Sequence, residues 1–410
     1  MYDQITEEIR MVGESLLGFI DSEVIPLERE NNHLLCTERN IYDDRGFFSQ
    51  PVQELRKQVR LKSAEAGFYT MLGAESLGGG GLGVSAAVYF HELIASSFGP
   101  GRVLIQYVVI PSMFTNGLSP VLDFMSPIAR EKYLPGIRSG EKTTCFALSE
   151  PDAGSDVYGI KTSAVCKGDE WVISGSKQWI TNSPYADYAM VFAVTDKDKV
   201  SRRAGGITAF LVDTKSVGFE VTSVTPVMGH LGGDQGIISL NEVRVPEENR
   251  LGEIDQGLVV AMQGINAGRL GVAGSCIGFA HWGLRLAVDY ATTRKTFGKP
   301  IAEHQAIQIH LADAAMDLFA AKSIVMNCAA RLDAGLDGRA EIAIAKSYAT
   351  EMLHRTIDHS MQVLGGMGMT NEIGLEMLYR DARAMRVYDG TSEIQRRTIA
   401  TELLKGKLVF

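Results

Sequence analysis

The chain has 410 residues, 45% of them hydrophobic and 22% charged, which is enough apolar material for a large core divided over two or three domains. Its formal net charge of -9 argues against a nucleic-acid partner, because phosphate binding requires clustered basic surface. The five cysteines are scattered without a Cys-x-x-Cys pair, so neither a disulfide framework nor a metal site is predicted.

The N-terminal segment lacks the pattern of a targeting sequence. Acidic residues interrupt its apolar positions, as at Glu7, Glu8 and Glu14, whereas signal and transit peptides are poor in acidic residues. No apolar run reaches the roughly 18 residues of a membrane span. We therefore expect a cytoplasmic protein, or one that works in an organelle matrix after processing, with no membrane span.

Three segments of different periodicity follow one another. Apolar residues recur at helical spacing from 5 to about 134, and short runs rich in β-branched residues follow from 145 to 251. Helical spacing then returns in four long stretches, at 258–293, 301–333, 339–364 and 372–387. This order predicts an α+β fold with an N-terminal helical domain (1–140), a middle antiparallel β-domain (141–251) and a C-terminal helical domain (252–410).

A glycine-rich run at residues 78–83 formally matches the G-x-G-x-x-G pattern of dinucleotide-binding folds. No strand is predicted before it and no βαβ pattern surrounds it, so its context does not support that interpretation. We expect a mobile or close-packed loop between helices.

The loop Phe146-Ala-Leu148-Ser149-Glu150-Pro-Asp-Ala-Gly-Ser155-Asp156 concentrates hydroxyl and N–H donors in a turn-rich segment. Such donors suit a diphosphate or the edge of a heteroaromatic ring. Further along the chain, Trp179-Ile180-Thr181 pairs an aromatic ring with a hydroxyl that could bind a planar ligand. Each motif alone is a weak indication.

Asp389 is the candidate general base. Gly390 ends a helical pattern, and Ser392-Glu393-Ile394-Gln395 has the form of a capping box, which places Asp389 in a turn ahead of a helix N-terminus. Free N–H groups and the helix dipole there favour an ionised carboxylate. An aspartate that only stabilises the turn is the alternative interpretation.

Taken together, these motifs resemble those of the acyl-CoA dehydrogenases over nearly the whole chain. The 146–156 loop is similar to the first signature of that family and 388–396 to its second, with Arg294-Lys-Thr296-Phe297-Gly and His304-Gln305 between them in the expected order. The resemblance implies an enzyme that binds FAD without a Rossmann fold. It further implies helical, β and four-helix domains, a homotetramer, and an electron-transferring flavoprotein as electron acceptor.

The resemblance also implies roles for particular residues. The flavin ring would contact Phe146, Leu148 and Ser149 on one side and Trp179, Ile180 and Thr181 on the other, with Ser155 at the diphosphate. A neighbouring subunit's FAD would meet Arg294, Thr296, Phe297 and Gln305, and its adenosine part would meet Gln362, Leu364, Gly365 and Gly366. The substrate would contact Ser155, Arg269, Asp389 and Gly390, and Thr391 and Glu393 would complete the cofactor site.

The implied reaction is α,β-dehydrogenation of an acyl-CoA thioester. Asp389 would remove the α-proton while flavin N5 accepts the β-hydride, and the backbone N–H of Asp389 would help to hold the thioester oxygen. Most members of the family have Glu at this position, and a minority place the base where this chain has Gly268, which cannot serve. Asp389 is therefore the one carboxylate at either position.

Aspartate is shorter than glutamate by about 1.5 Å, a single C–C bond. Because proton transfer requires close approach of the two heavy atoms, we expect a substrate other than a plain straight-chain acyl-CoA. Two alternatives stay open: an enzyme like the nitroalkane oxidases, which use an Asp base on the same fold, and a redox-inactive homologue that binds flavin or acyl-CoA.

Overall fold

The computed structural model describes residues 5–112 and 114–408, which form two compact units. The bundle unit contains the chain up to Gly18, Leu82–Arg102 and the chain from Gly268 onward. The sheet unit contains Phe19–Gly81 and Val103–Ala267. The N-terminal helical segment therefore contributes to both units, and the predicted domain boundaries at 140 and 251 stay predictions.

The segment before the sheet is helical, as predicted. Its helices are α1 Glu7–Phe19, α2 Ile25–Glu30, α3 Asn32–Leu35, α4 Glu38–Ile41, α5 Gln50–Glu65, α6 Gly83–Phe98 and α7 Pro127–Arg138. Local chemistry sets the start of α7, because the Ser126 hydroxyl accepts a hydrogen bond from the Ala129 N–H and Pro127 occupies the first turn.

Eight strands form one sheet in the sheet unit. They are β1 Thr144–Ala147, β2 Ser163–Lys167, β3 Glu170–Thr181, β4 Tyr188–Val194, β5 Ile207–Asp213, β6 Phe219–Val224, β7 Gln235–Pro246 and β8 Arg250–Leu251, and the short helix α8 Lys197–Ser201 joins β4 to β5. The strand order is β6-β7-β3-β2-β4-β5-β8, with β1 paired to β4. All pairs are antiparallel except those of β1 and β2 with β4, which are parallel.

Both faces of the central strands are buried, which explains why β4 reads as a continuous apolar run rather than an alternating one. Ala189 and Val191 pack in a core that includes Trp171 of β3. Met190 and Phe192 face the opposite core, which includes residues of α7. The central strands are thus covered on both sides.

The bundle unit consists mainly of long helices. They are α9 Gly257–Thr293 (from Gly268 onward), α10 Gln305–Asp333, α11 Arg339–Leu364, α12 Leu375–Met385 and α13 Ser392–Leu404, and β9 Lys295–Thr296 pairs with β10 Lys299–Pro300 in a small hairpin between α9 and α10. The bounds of α9 and α11 agree with the predicted stretches within one residue. The predicted order of helices, sheet and helices is therefore confirmed.

The glycine-rich run is a close-packed turn where it lies in the sheet unit. A Cβ at Gly79 would lie 2.3 Å from the Gly73 carbonyl oxygen, which no side chain can tolerate. These glycines allow two backbone segments to approach each other. No helix in the part of the chain that the structure describes combines the length and apolar content needed to cross a bilayer.

Candidate functional site

Asp389 lies in the turn between α12 and α13, in the bundle unit. Its φ of +57° and the φ of +93° at Gly390 place two successive residues in the left-handed region. Aspartate tolerates that region better than most residues. The φ of +93° would strain any side chain at Gly390, and a Cβ there would lie 2.8 Å from Gln395 Nε2 and 3.0 Å from Arg269 Nη2, so it would displace two groups that bind the turn.

The predicted turn ahead of a helix is present, but its capping residue is Thr391 rather than Ser392. The Thr391 hydroxyl accepts a hydrogen bond from the Ile394 N–H, and Ser392 is the first helical residue. The capping-box prediction was wrong: Thr391 is the cap, and the Gln395 side chain binds the carbonyl oxygens of the turn instead of the start of the helix. Glu393 is exposed on the first turn of α13, and hydrogen bonds from its own N–H and from Thr391 lower the pKa of its carboxyl.

Three buried or half-buried side chains bind all three carbonyl oxygens of the 388–390 turn. Lys346 Nζ donates to the carbonyl oxygens of Tyr388 and Gly390, at 2.9 Å each. Arg269 Nε donates to the Asp389 carbonyl oxygen at 2.9 Å. Gln395 Nε2 donates to the carbonyl oxygens of Asp389 and Gly390, at 3.2 and 3.0 Å. We call Lys346, Arg269 and Gln395 the carbonyl clamp.

Burial and charge act in opposite directions on the Asp389 carboxyl. Burial raises the pKa of Asp389 to about 6, and the Lys346 and Arg269 cations limit the rise. Burial also lowers the pKa of Lys346 to about 8, although Asp389 opposes that shift. The carboxylate is therefore ionised at neutral pH but basic enough to accept a proton.

The sequence interpretation missed Lys346 and Gln395, although a signal for Lys346 existed. Lys346 falls on the apolar face of α11, four residues after Ile342 and three before Ala349, where helical periodicity predicts a core residue. A lysine at such a position is buried only if acceptors surround it. Its acceptors lie 42 and 44 residues further along the chain, where local patterns do not connect them.

A second cluster lies in the sheet unit, where a buried ion pair holds the 146–156 loop. Lys177 of β3 has no exposed surface, and its Nζ donates to Glu150 Oε1 at 2.8 Å and to the Leu148 carbonyl oxygen at 2.9 Å. The Glu150 carboxylate also accepts the N–H groups of Lys161 and Thr162, at 2.6 and 3.0 Å. Burial alone would raise the pKa of Glu150, but these partners outweigh it and lower that pKa.

The predicted cofactor residues of the sheet unit form two groups: accessible hydroxyl and aromatic side chains, and buried apolar side chains. Ser149 and Thr181 are half-buried and Ser155 is exposed, while Trp179 has φ +64° and its side chain is 51% exposed at the end of β3. Phe146, Leu148 and Ile180 are buried and support these groups from the core. An exposed aromatic face beside hydroxyl donors fits the isoalloxazine ring and diphosphate of FAD.

The residues predicted to reach a neighbouring subunit lie around the β9–β10 hairpin of the bundle unit. Phe297 is 96% exposed at the hairpin tip, and Arg294 and Gln305 are also exposed. The Thr296 hydroxyl lies 3.3 Å from His304 Nε2. At the end of α11, Gln362, Gly365 and Gly366 are exposed and Leu364 is buried in the helical core.

Asp389, Gly390 and Thr391 thus lie in one turn, which Arg269 of α9 contacts. The 146–156 loop is joined through Lys177 to the strand that carries Trp179-Thr181. The individual cofactor and substrate contacts of these residues stay predictions. Within residues 5–112 and 114–408, no group of three or more His, Cys, Asp or Glu side chains is placed to hold a metal ion.

We predict that Lys177→Met destabilises the sheet unit and lowers its flavin content. Removing one partner of a buried ion pair leaves the Glu150 charge uncompensated, which costs about 3–5 kcal/mol. Chemical denaturation and the ratio of flavin to protein absorbance measure both effects. The matched control is Lys161→Met, whose ion pair with Asp152 is exposed on both sides and whose loss should change neither value. If the Lys177→Met protein retains full stability and flavin, the ion pair does not hold the loop.

Known proteins resemble the chain in both units. The family model for the acyl-CoA dehydrogenase middle domain matches residues 145–243, and the model for the C-terminal domain of the same family matches residues 255–404. CarC, a subunit of the caffeyl-CoA reductase-Etf complex of Acetobacterium woodii, is 39% identical over 86% of this chain and 91% of its own length. The 3-(aryl)acrylate reductase of Clostridium sporogenes is 37% identical over the same shares of the two chains.

Solved structures agree with these matches. Butyryl-CoA dehydrogenase from Megasphaera elsdenii has a TM-score of 0.80 and 29% identity, and the match covers 98% of this chain and 99% of that one. The fold, the two family models and the relatives all support an oxidoreductase whose cofactor is FAD. The chain belongs to the acyl-CoA dehydrogenase family.

Proposed function

We propose that the protein catalyses α,β-dehydrogenation of an acyl-CoA thioester, with Asp389 as the base that removes the α-proton. The observation that carries this proposal is the Asp389 turn itself. Its carboxyl has a pKa of about 6, its backbone carbonyls are all bound, and its left-handed conformation is fixed by Gly390 and the carbonyl clamp. A general base needs these properties: a basic carboxylate, held in one geometry.

The reaction removes a proton and a hydride from the substrate, and each has its own acceptor. Asp389 takes the α-proton, and the electron pair of that C–H bond becomes the α,β double bond. When bound, FAD supplies the acceptor for the hydride that leaves the β-carbon. Arg269 contributes a cation beside the turn, where it also holds the Asp389 carbonyl oxygen.

We propose an aryl-substituted or otherwise functionalised acyl group rather than a plain straight chain. The short side chain of Asp389 supports this, because it requires an α-carbon closer to the turn than glutamate would. The names of CarC and of the acrylate reductase also point to aryl acrylate groups.

Reduction of an enoyl-CoA is a second candidate function, and the two reductase relatives favour it. The same site serves both directions, since a protonated Asp389 returns the proton to the α-carbon. A pKa of about 6 allows the carboxyl to take either form near neutral pH.

We propose an electron-transferring flavoprotein as the redox partner and the cytoplasm as the compartment. CarC is named as part of a complex with Etf, which supports the first. All five cysteines are free, two of them exposed, which suits a reducing compartment.

We also propose that four copies of the chain assemble. Ile309, Met316 and Phe319 are exposed on α10 at spacings of seven and three residues, so they share one face of the helix. Phe297 protrudes at the tip of the nearby hairpin motif that, by resemblance, reaches a neighbouring FAD. Exposed apolar side chains in such a row are typical of subunit interfaces.

The rate of flavin reduction at low substrate concentration should fall as the pH drops through about 6. The sign follows from the base, which acts only in its ionised form and whose pKa is raised to about 6. Anaerobic stopped-flow absorbance over a pH series measures the midpoint of this fall in rate. A midpoint near the ordinary aspartate pKa of about 4 would contradict the raised pKa.

Asp389→Asn should retain FAD but lose exchange of the substrate α-proton by at least about a hundredfold, since it removes the general base. The matched control replaces Asp358, an exposed aspartate on α11; Asp358→Asn should exchange the α-proton normally.

The wild-type flavin should be bleached anaerobically by 3-arylpropionyl-CoA more than by straight-chain acyl-CoAs, and the reduced enzyme should be reoxidised by arylacrylyl-CoA. Bleaching by nitroalkanes alone would instead indicate a nitroalkane oxidase, and no response to any thioester would indicate a redox-inactive binding protein.

Sedimentation of the wild-type protein should give four times the 44.6 kDa chain mass. The double variant Met316→Glu/Phe319→Glu should lower that mass, because it places buried charge at the proposed interface. Val217→Glu changes an even more exposed apolar residue in the sheet unit and should leave the mass unaltered. A wild-type monomer would refute the assembly.

A further inference from the structure

Lys346 is buried where the reaction gives it no direct role. It has no exposed surface, and it lies among the apolar residues of α11, near Cys276 of α9. Its ammonium binds two backbone carbonyl oxygens, those of Tyr388 and Gly390, which flank Asp389. Burying a lysine costs free energy that a methionine of similar size would not, so the position is unexpected for packing alone.

The bond to Tyr388 fixes the direction of the neighbouring N–H group. The peptide bond that joins Tyr388 to Asp389 is trans, like all the peptide bonds of the described chain, so its C=O and N–H point in opposite directions. Since the C=O points at Lys346, the Asp389 N–H points away from it. Within the described residues this N–H donates to no acceptor, although the three carbonyls of the turn are all bound.

The charge of Lys346 acts on the Asp389 side chain as well. Of the two cations that favour the ionised carboxylate, Lys346 has the larger influence and Arg269 of α9 the smaller. The other titratable groups around Lys346 are Tyr388, whose ring centroid lies 5.9 Å from the Lys346 Nζ, Glu351 of the same helix, and Cys276, whose pKa burial raises to about 12. The Cys276 thiol is therefore neutral in the working range of pH.

We propose that Lys346 is a positioning residue of α-proton transfer. Its ammonium turns the Asp389 N–H outward, to receive the carbonyl oxygen of an acyl thioester, and keeps the adjacent carboxylate ionised. Both effects act through Asp389, so this role rests on the proposed function.

The experiment compares Lys346→Met, Lys346→Arg and Gln395→Met in the flavin-loaded protein. Gln395→Met removes two hydrogen bonds from the same turn, those to the Asp389 and Gly390 carbonyl oxygens, but no charge. Lys322→Met is the matched control, since Lys322 is a mostly buried lysine of α10 that pairs with Glu92 in the same unit. Two quantities are measured: α-proton exchange from an acyl-CoA substrate over a pH series, and the titration of Asp389. The titration uses infrared difference spectra with isotope-labelled aspartate, in which the Asp389 band is assigned by its loss in Asp389→Asn.

In Lys346→Met, exchange above the acid limb should fall at least about tenfold, and the Asp389 midpoint should move up by about one pH unit. Lys346→Arg should restore the midpoint, Gln395→Met should slow exchange without moving it, and Lys322→Met should change neither value. An unchanged midpoint and exchange rate in a folded Lys346→Met protein would overturn the proposal.

Failure of the proposed function gives a different result. If the wild-type protein exchanges the α-proton of no acyl-CoA, the function is wrong, and the positioning role in proton transfer is refuted with it. The infrared titration needs no substrate and still reports whether Lys346 sets the ionisation of Asp389. If Lys346→Met does not fold, the other two variants decide. The proposal fails if the Asp389 midpoint moves up by about one pH unit in Lys346→Arg, which keeps the charge, or if it moves in Gln395→Met.

Discussion

The bundle-unit site depends on one constraint: three consecutive backbone carbonyls must be bound by side chains rather than by water. A turn with two left-handed residues forms no regular hydrogen-bond ladder, so its polar groups need other partners. Lys346, Arg269 and Gln395 supply them from three different helices. The turn is thereby fixed to the core of the bundle. The backbone from which the Asp389 side chain extends is held in one position.

The sheet unit uses the same solution for a different loop. Lys177 reaches from β3 to the Leu148 carbonyl and to Glu150, as Lys346 reaches from α11 to the 388–390 turn. In both cases burial lowers the lysine pKa to about 8 and neighbouring carboxylates oppose the shift. A buried ammonium with fixed acceptors defines loop geometry more strictly than apolar packing does, because a displaced acceptor leaves a charge unsolvated.

Periodicity predicted the long helices and the main strands, since repeats of 3.6 and 2 residues are local properties of the chain. The same patterns could not predict the parallel pairing of β1 with β4, which depends on contacts about 44 residues apart in sequence. The motifs predicted Asp389, but not Lys346 or Lys177, because lysine is usually exposed and their partners are distant backbone atoms. The cap at Thr391 was misassigned because Gln395 serves the turn instead of the helix end.

The carbonyl clamp holds the 388–390 turn by its main-chain oxygens, and this bears on how the position can vary. Because these hydrogen bonds end on main-chain oxygens, a carboxylate side chain of another length at 389 leaves their acceptors in place. Exchange of aspartate for glutamate at 389 would then alter the reach of the proposed base and leave the acceptors of its support unchanged.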